Sequence, residues 1–342
     1  MERRQFVKSA AIGMGALTSG VRAGHGFPAA QAAVDTRPAG TGRPVRAVSI
    51  GFKPGLPLER IAELVDREGA LGTDLIALPE TCRGQNEQSQ EPLDGPTISA
   101  MAQLAKKHRT YIVCPIDRTD GNTRFNSAVL LDRRGEVACV YDKLYPVWQQ
   151  ECVKQPPVQP GSKVQVCATD FGRVGLAICF DVNWTSLWQE MANQGAELVV
   201  WPSAYSAGRS LQAQAIQYNY HILSATLVPD CLVYDIDGTL LLHEKENAGA
   251  GVNVSRVHLD LDRCVFHQDL NLPGKRDKLL KEHGDDVEQE QWWPMEGWFV
   301  LKAKRPGVSA RDLARQYGLE ALRPYINRSR SEIDKCRGWE FS

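Results

Sequence analysis

Apolar residues recur along this chain in two rhythms, and from residue 45 onward they lay out an alternating series of strands and helices. Residues 46–52 (RAVSIGF) read as a strand, and the short apolar run at 75–78 as another. Residues 58–71 place Ile61, Leu64 and Val65 on one helical face. Residues 97–108 do the same with Ile98, Met101, Leu104 and Ala105. Further strands are expected at 111–115, 126–131 and 137–141, the last two joined through the turn Asp132-Arg133-Arg134-Gly135. The second half continues in the same style. Strands fall at 164–169 and 174–179, then a helix at 185–194 stopped by Gly195, a strand at 198–201 and a helix at 211–221. A hairpin of 231–235 and 239–243 turns on Asp237-Gly238, and a strand at 257–261 closes the series. Many strands mixed with a few helices, and no repeat at solenoid period, imply an α/β layered domain.

The two ends have a different texture. The chain opens with Arg3 and Arg4 before Phe6 and Lys8, and a mildly apolar stretch from Ala10 to Val21 is diluted by Gly13, Gly15 and Gly20. This resembles a twin-arginine signal peptide, with small-residue cleavage sites at Ala30-Gln31-Ala32 and Val21-Arg22-Ala23, and it implies export. Its apolar stretch is too short for a membrane span, and no other segment approaches that length. Past about residue 269 a charged segment (275–290) precedes Trp292, Trp293 and Trp298. Residues 309–317 then read as a helix capped by Ser309 and stopped by Gly318.

Composition narrows the class. The chain has 342 residues, 43% of them hydrophobic, enough for a full-sized core. A net charge of −1 gives no broad field toward nucleic acid or anionic membrane. The nine cysteines form no CxxC pair, and several, such as Cys114 and Cys139, sit in apolar runs, where small buried hydrophobes are expected. An odd count leaves at least one thiol free. The seven histidines form no metal-binding spacing, and no nucleotide-binding glycine loop is present, so no metal or organic cofactor is implied.

Three segments each place one reactive residue just beyond an apolar strand: ALPET with Glu80, YDKLYP with Lys143, and GLAICFD with Cys179. Strand ends are where side chains of an α/β fold converge on a crevice. Together with the flanking EPLDGPTI, YIVCPI, NSAVLLDRRGEV, DFGRVGLAIC and GAELVVWPSAY, these segments resemble the nitrilase (carbon–nitrogen hydrolase) superfamily, in the family's order, over residues 45–261.

The resemblance implies a four-layer α-β-β-α sandwich, a homodimer or larger homo-oligomer, and a cysteine-dependent hydrolase of a small-molecule amide or ureide. Cys179 would be the nucleophile and Glu80 the general base and acid. Lys143 would stabilise the oxyanion, with a backbone N–H near Phe180 as second donor. Glu151 sits where the family often has a second glutamate and would orient Lys143 or the substrate. The Cys179-Phe180-Asp181 signature is of the amide-cleaving kind rather than the Cys-Trp-Glu of nitrile-cleaving members. The segments then read as a signal peptide (1–32), a linker (33–44), a hydrolase domain (45–268) and a C-terminal extension (269–342) that packs on the core or on a partner subunit. Two departures stand out. Val182-Asn183-Trp184-Thr185-Ser186 lacks the family's Pro-Glu, and Gln214-Ala215-Ile216-Gln217-Tyr218-Asn219 replaces its Arg-Ala-Ile-Glu-Asn. Both leave the substrate open. The alternatives are a catalytically silent scaffold protein, a nitrile hydrolase and an acyltransferase.

Overall fold

Several apolar runs in this sequence, such as Leu198-Val199-Val200-Trp201, are continuous rather than alternating, and such strands must be buried on both faces. The computed structural model describes residues 41–153, 155–227, 230–241, 243–249, 251–267 and 273–338, and in it these runs occupy the middle of a layered sandwich. The twin-arginine segment, its cleavage sites and most of the linker lie outside the described residues.

The first half builds β1 (Pro44–Gly51), α1 (Leu58–Ala70), β2 (Leu75–Ala77), β3 (Gln90–Glu91), α2 (Pro96–His108), β4 (Tyr111–Asp120), β5 (Thr123–Leu131) and β6 (Val137–Asp142). The second half builds β7 (Val166–Ala168), β8 (Arg173–Leu176), α3 (Thr185–Asn193), β9 (Leu198–Ser203), α4 (Gly208–Tyr218), β10 (His221–Thr226), β11 (Val233–Tyr234), β12 (Glu244–Asn247) and β13 (Asn253–Asp260). One sheet runs β12-β13-β1-β2-β4-β5-β6, with β3 beside β4, and the other β11-β10-β9-β8-β7. Helical crossovers make β1-β2-β4 and β8-β9-β10 parallel, as their connections require.

The two sheets meet through Val45, Ala47, Leu75, Ala77 and Val113 on one side and Val174, Leu176, Leu198, Val200 and Leu223 on the other. The outer face of the first sheet (Ile50, Ile76, Ile112, Val129) is covered by Ile61, Leu64 and Val65 of α1 and by Ile98 and Met101 of α2. Leu187, Trp188 and Met191 of α3 and Leu211 and Ala215 of α4 join the core of the second sheet. The α-β-β-α layering expected from the resemblance is therefore present.

The tail adds β14 (Cys264–His267), α5 (Pro273–His283), β15 (Val287–Trp293), β16 (Trp298–Ala303), α6 (Ala310–Gln316) and α7 (Leu322–Arg337). Its antiparallel sheet β14-β16-β15 has its own small core of Phe266, Leu279, Val287, Phe299, Leu301 and Ala314. It packs on the main domain through Ile236 with Val265 and Val300, and Asp262 accepts from Ser309 Oγ at 2.6 Å and Ala310 N at 2.5 Å.

Several expectations need correction. The helix expected through residue 221 ends at Tyr218, where Asn219 takes a left-handed φ of 56° as its cap, and His221 instead begins the buried strand β10. The strand expected through Cys179 ends at Leu176, for a reason given below. Cys139 is not a lone apolar cysteine: it is joined to Cys167 in a disulfide that links β6 to β7 across the two sheets. The tail holds a sheet and a long helix as well as the helix expected at 309–317. Strands such as Glu244-Lys245-Glu246-Asn247 carry no apolar alternation and leave no mark in the hydrophobic pattern.

Candidate active site

Glu80 lies three residues past the end of β2. The chain keeps strand direction as far as Leu78, whose N–H bonds Val113 O at 3.0 Å, then turns at Pro79 and through Thr81, which has a φ of 41°. Lys143 directly follows β6, and its N–H bonds Asn126 O on β5 at 2.8 Å. Glu151 sits in the short helical turn Trp148–Cys152. These three side chains form one buried cluster, only 5%, 1% and 4% exposed.

The cluster's hydrogen bonds can be counted donor by donor. Lys143 Nζ donates to Glu80 Oε1 and to Glu151 Oε2, both at 2.8 Å. An ammonium has three hydrogens, so one remains. Glu151 accepts four bonds: from Lys143, from Val147 N at 2.7 Å, from Asn126 Nδ2 at 2.8 Å and from Gln85 Nε2 at 2.9 Å. A carboxylate offers about four lone-pair positions, so Glu151 is saturated. Glu80 accepts three bonds: from Lys143 and Asn126 Nδ2 at Oε1, and from Ala204 N at Oε2, 2.9 Å. One position on Oε2 stays open.

Cys179 approaches from the other sheet. It adopts a φ of 48°, in the left-handed region that costs a non-glycine residue energy, and this breaks the strand. Asp181 holds the break. It is fully buried; its Oδ2 accepts Ile178 N at 2.8 Å and Tyr141 O–H at 2.6 Å, and its Oδ1 accepts Tyr145 N at 2.9 Å. Tyr141 and Tyr145 flank Lys143, so Asp181 ties the lysine arm to the cysteine arm. Trp201 Nε1 bonds Cys179 O at 3.1 Å and Trp188 Nε1 bonds Asp181 O at 3.1 Å, completing the turn. Phe180 lies in the first turn of the 3-10 segment Cys179–Asn183, where backbone N–H groups lack partners within the helix, and its ring meets Trp184 edge-on at 4.9 Å.

Electrostatics follow from this packing. Burial and the neighbouring Glu80 push the Cys179 thiol up to about 12, against the opposing pull of Lys143 and hydrogen bonds from Ser203 and Ala204. Burial alone would lower Lys143, but Glu80, Cys179 and Glu151 outweigh it and hold the ammonium above the usual lysine range. Burial acts to raise Glu151, yet Lys143 and Asn126 hold it below the usual carboxylate range. Burial pushes Asp181 up to about 6. The cluster has two acids and one cation, so a standing thiolate would add a second uncompensated negative charge. A thiol held in this form would need a neighbouring base in order to react as a nucleophile.

All six residues singled out from the sequence come together here, with Asp181 bracing the two arms rather than facing the cluster. Sequence reading missed Asn126, Gln85, Tyr141, Ser203 and the Ala204 N–H. Asn126 lay inside a quoted motif, but it opens the apolar run that follows it beside another polar residue, Ser127, and nothing in that pattern marks it as a site residue. Among the described residues no three His, Cys, Asp or Glu side chains gather to hold a metal ion, and no helix is long and apolar enough to cross a membrane.

The chain belongs to the carbon-nitrogen hydrolase family, whose sequence profile matches residues 57–265. It is similar to the nitrilase and fragile histidine triad fusion protein NitFhit of Drosophila melanogaster, 30% identical over 190 residues covering 50% of this chain and 41% of that protein. It is also similar to the deaminated glutathione amidase of Mus musculus, 29% identical over 190 residues covering 48% of this chain and 58% of that one. The chain thus spans about half the length of the curated relatives it matches. Among solved structures, Nit3 of Saccharomyces cerevisiae, a member of branch 10 of the nitrilase superfamily, superposes with a TM-score of 0.55 at 18% identity. That match covers 64% of this chain and 91% of Nit3, and it shows the shared fold.

Proposed function

We propose that this protein is a cysteine-dependent hydrolase of a non-peptide C–N bond, an amide or N-carbamoyl group, acting through a thioester. The observation that carries this is the donor count: a saturated Glu151, a Glu80 with one open position, and a lysine with one free hydrogen beside a protonated thiol. As Cys179 Sγ bonds to the carbonyl carbon, its proton passes to Glu80 Oε2. Negative charge gathers on the carbonyl oxygen, where the third hydrogen of Lys143 and the Phe180 N–H stabilise it. Glu80 returns the proton to the leaving nitrogen as the C–N bond breaks, giving a thioester and free ammonia or amine. Water, deprotonated by Glu80, then releases the acid and restores the thiol. Among similar proteins, names such as deaminated glutathione amidase and the formamidase of Pseudomonas syringae support an amide over a nitrile. So does the Phe180-Asp181 signature.

Mass spectrometry of the protein incubated with amides, ureides and nitriles sharing one acyl group tests this reading. An acyl adduct on the Cys179 peptide, absent in Cys179→Ala, is expected. No adduct and no turnover with any class would favour a silent scaffold, and a highest kcat/KM on the nitrile would overturn the bond assignment. We further propose twin-arginine export and assembly into a homodimer or larger oligomer. Replacing Arg3 and Arg4 with lysine should trap the precursor inside the cell, and unchanged export would reject the first. A monomer in sedimentation at micromolar concentration would reject the second.

A further inference from the structure

Asn126 is fully buried on β5, and its one amide group donates to both acids of the cluster, to Glu80 Oε1 and to Glu151 Oε1, each at 2.8 Å. Both neighbours are acceptors, so the amide has one workable orientation: turned over, its carbonyl would face two carboxylates. The consequence is visible on the other side, where Asn126 Oδ1 is buried without a hydrogen-bond partner. A buried orphan acceptor destabilises a fold, and native proteins hold few of them. The backbone allows no escape, since Asn126 pairs with Asp117 across β4 and its carbonyl accepts Lys143 N at 2.8 Å.

We propose that Asn126 is a positioning residue that sets the pH at which Glu80 can act as base and keeps the two acids in separate roles. This rests on the reading of Glu80 as the base. Two acids around a single ammonium would tend to share a proton. The Asn126 amide supplies the missing positive hydrogen to each of them. It completes the fourth bond on Glu151, leaving that group no place for a proton. It fills Oε1 of Glu80, so that the one open position is on Oε2, beside the Ala204 N–H that also reaches the Cys179 sulfur. A neutral amide does this where a second lysine would also trap Cys179 as a standing thiolate.

The test is the rate of Cys179 alkylation by iodoacetamide as a function of pH, read on the Cys179 peptide by mass spectrometry. It is measured in the full chain and in Asn126→Leu, Asn126→Asp and Glu80→Gln, with folding checked by circular dichroism and thermal midpoint. Loss of a hydrogen bond to a charged group moves the acid limb of the profile upward by about one pH unit in Asn126→Leu. The near-isosteric Asn126→Asp sets a third carboxylate beside the first two and is expected to move it further, with the rate recovered at high pH. A purely structural role would lower the rate evenly at every pH. An acid limb unmoved in a folded Asn126 variant, while Glu80→Gln replaces it with a climb that continues above neutral pH, would overturn the proposal and leave Glu80 as base. A limb that keeps its native position and plateau in Glu80→Gln would overturn the reading of Glu80 itself. If Asn126→Leu fails to fold, Asn126→Asp decides alone.

Discussion

Two of the charge clusters among the described residues differ in kind, one at the sheet ends around Lys143 and one where the tail meets the main domain around Arg263. In the second, Arg263 Nη1 bonds both oxygens of Asp235 at 2.6 and 2.7 Å, and Nε bonds Glu290 at 2.6 Å. Arg263 is held above its usual range because Asp235 and Glu290 outweigh its burial, and burial pulls the adjacent His221 down. There Arg263 is held on two of its nitrogens by Asp235 and Glu290, and Asp235 also accepts Ile236 N at 2.8 Å, so cation and acids are paired with one another. The Lys143 cluster is built from similar charges but is left incomplete. One hydrogen on the lysine and one lone pair on Glu80 point to no fixed partner, and a thiol stands beside them. Burial of charge thus serves two ends here, and the difference lies in what stands beside the pair: at Lys143 it is a thiol, with one ammonium hydrogen and one carboxylate position still open.

Breaking the open cluster is expected to have the largest effect. Cys179→Ala should abolish turnover with the fold intact. Glu80→Gln and Lys143→Met should each lower kcat/KM by about 10² or more, without adding in the double variant because the groups act as one unit. Steady-state kinetics on any amide turned over by the native protein checks this; near-normal activity in either variant removes that residue from the mechanism. The pH dependence sharpens the point. In Glu80→Gln, Cys179 alkylation should climb with pH from 7 to 10 with no neutral plateau, because burial still holds the thiol up once the base is gone. A plateau near neutral pH would mean another group takes the proton.

Breaking the Arg263 cluster should cost stability and leave the chemistry alone. Arg263→Met strands Asp235 in the interior, and such a loss typically destabilises by about 3–5 kcal/mol. Chemical denaturation should report it, while kcat of the remaining folded enzyme stays unchanged; a fallen kcat would mean the tail reaches the active site. Reducing the Cys139–Cys167 link, which closes a separation of 28 residues, should cost about 3–4 kcal/mol on chain-entropy grounds. A Cys139→Ser denaturation curve tests this, and an unchanged midpoint would show the unfolded chain gains nothing from release. At the small end, the exposed pair Lys335–Glu332 on α7 should contribute under about 0.5 kcal/mol, so Lys335→Ala should leave the thermal midpoint in place.

By itself the sequence determined an α/β layered domain and the helices whose apolar faces repeat cleanly, and its resemblance to a family pointed to Glu80, Lys143, Cys179 and Glu151 as candidates. The elements were legible because each is local, a periodic face reporting burial and a reactive residue just beyond an apolar run reporting a strand end, whereas Glu151 follows no such run and came from the resemblance alone. What only the tertiary structure decided is everything that depends on partners distant along the chain. Asn126 and Gln85 lie 25 and 66 positions from Glu151, and no periodicity marks a side chain whose role is to donate across that separation. Asp181 read as part of a signature, but its work, bracing the Cys179 turn against Tyr141 and Tyr145, exists only once two sheets face each other. The same holds for β10, where a left-handed Asn219 ended the helix before the apolar pattern did, and for the disulfide at Cys139. Hydrogen-bond saturation and charge balance are properties of a closed three-dimensional set, and they appear only when the set is assembled.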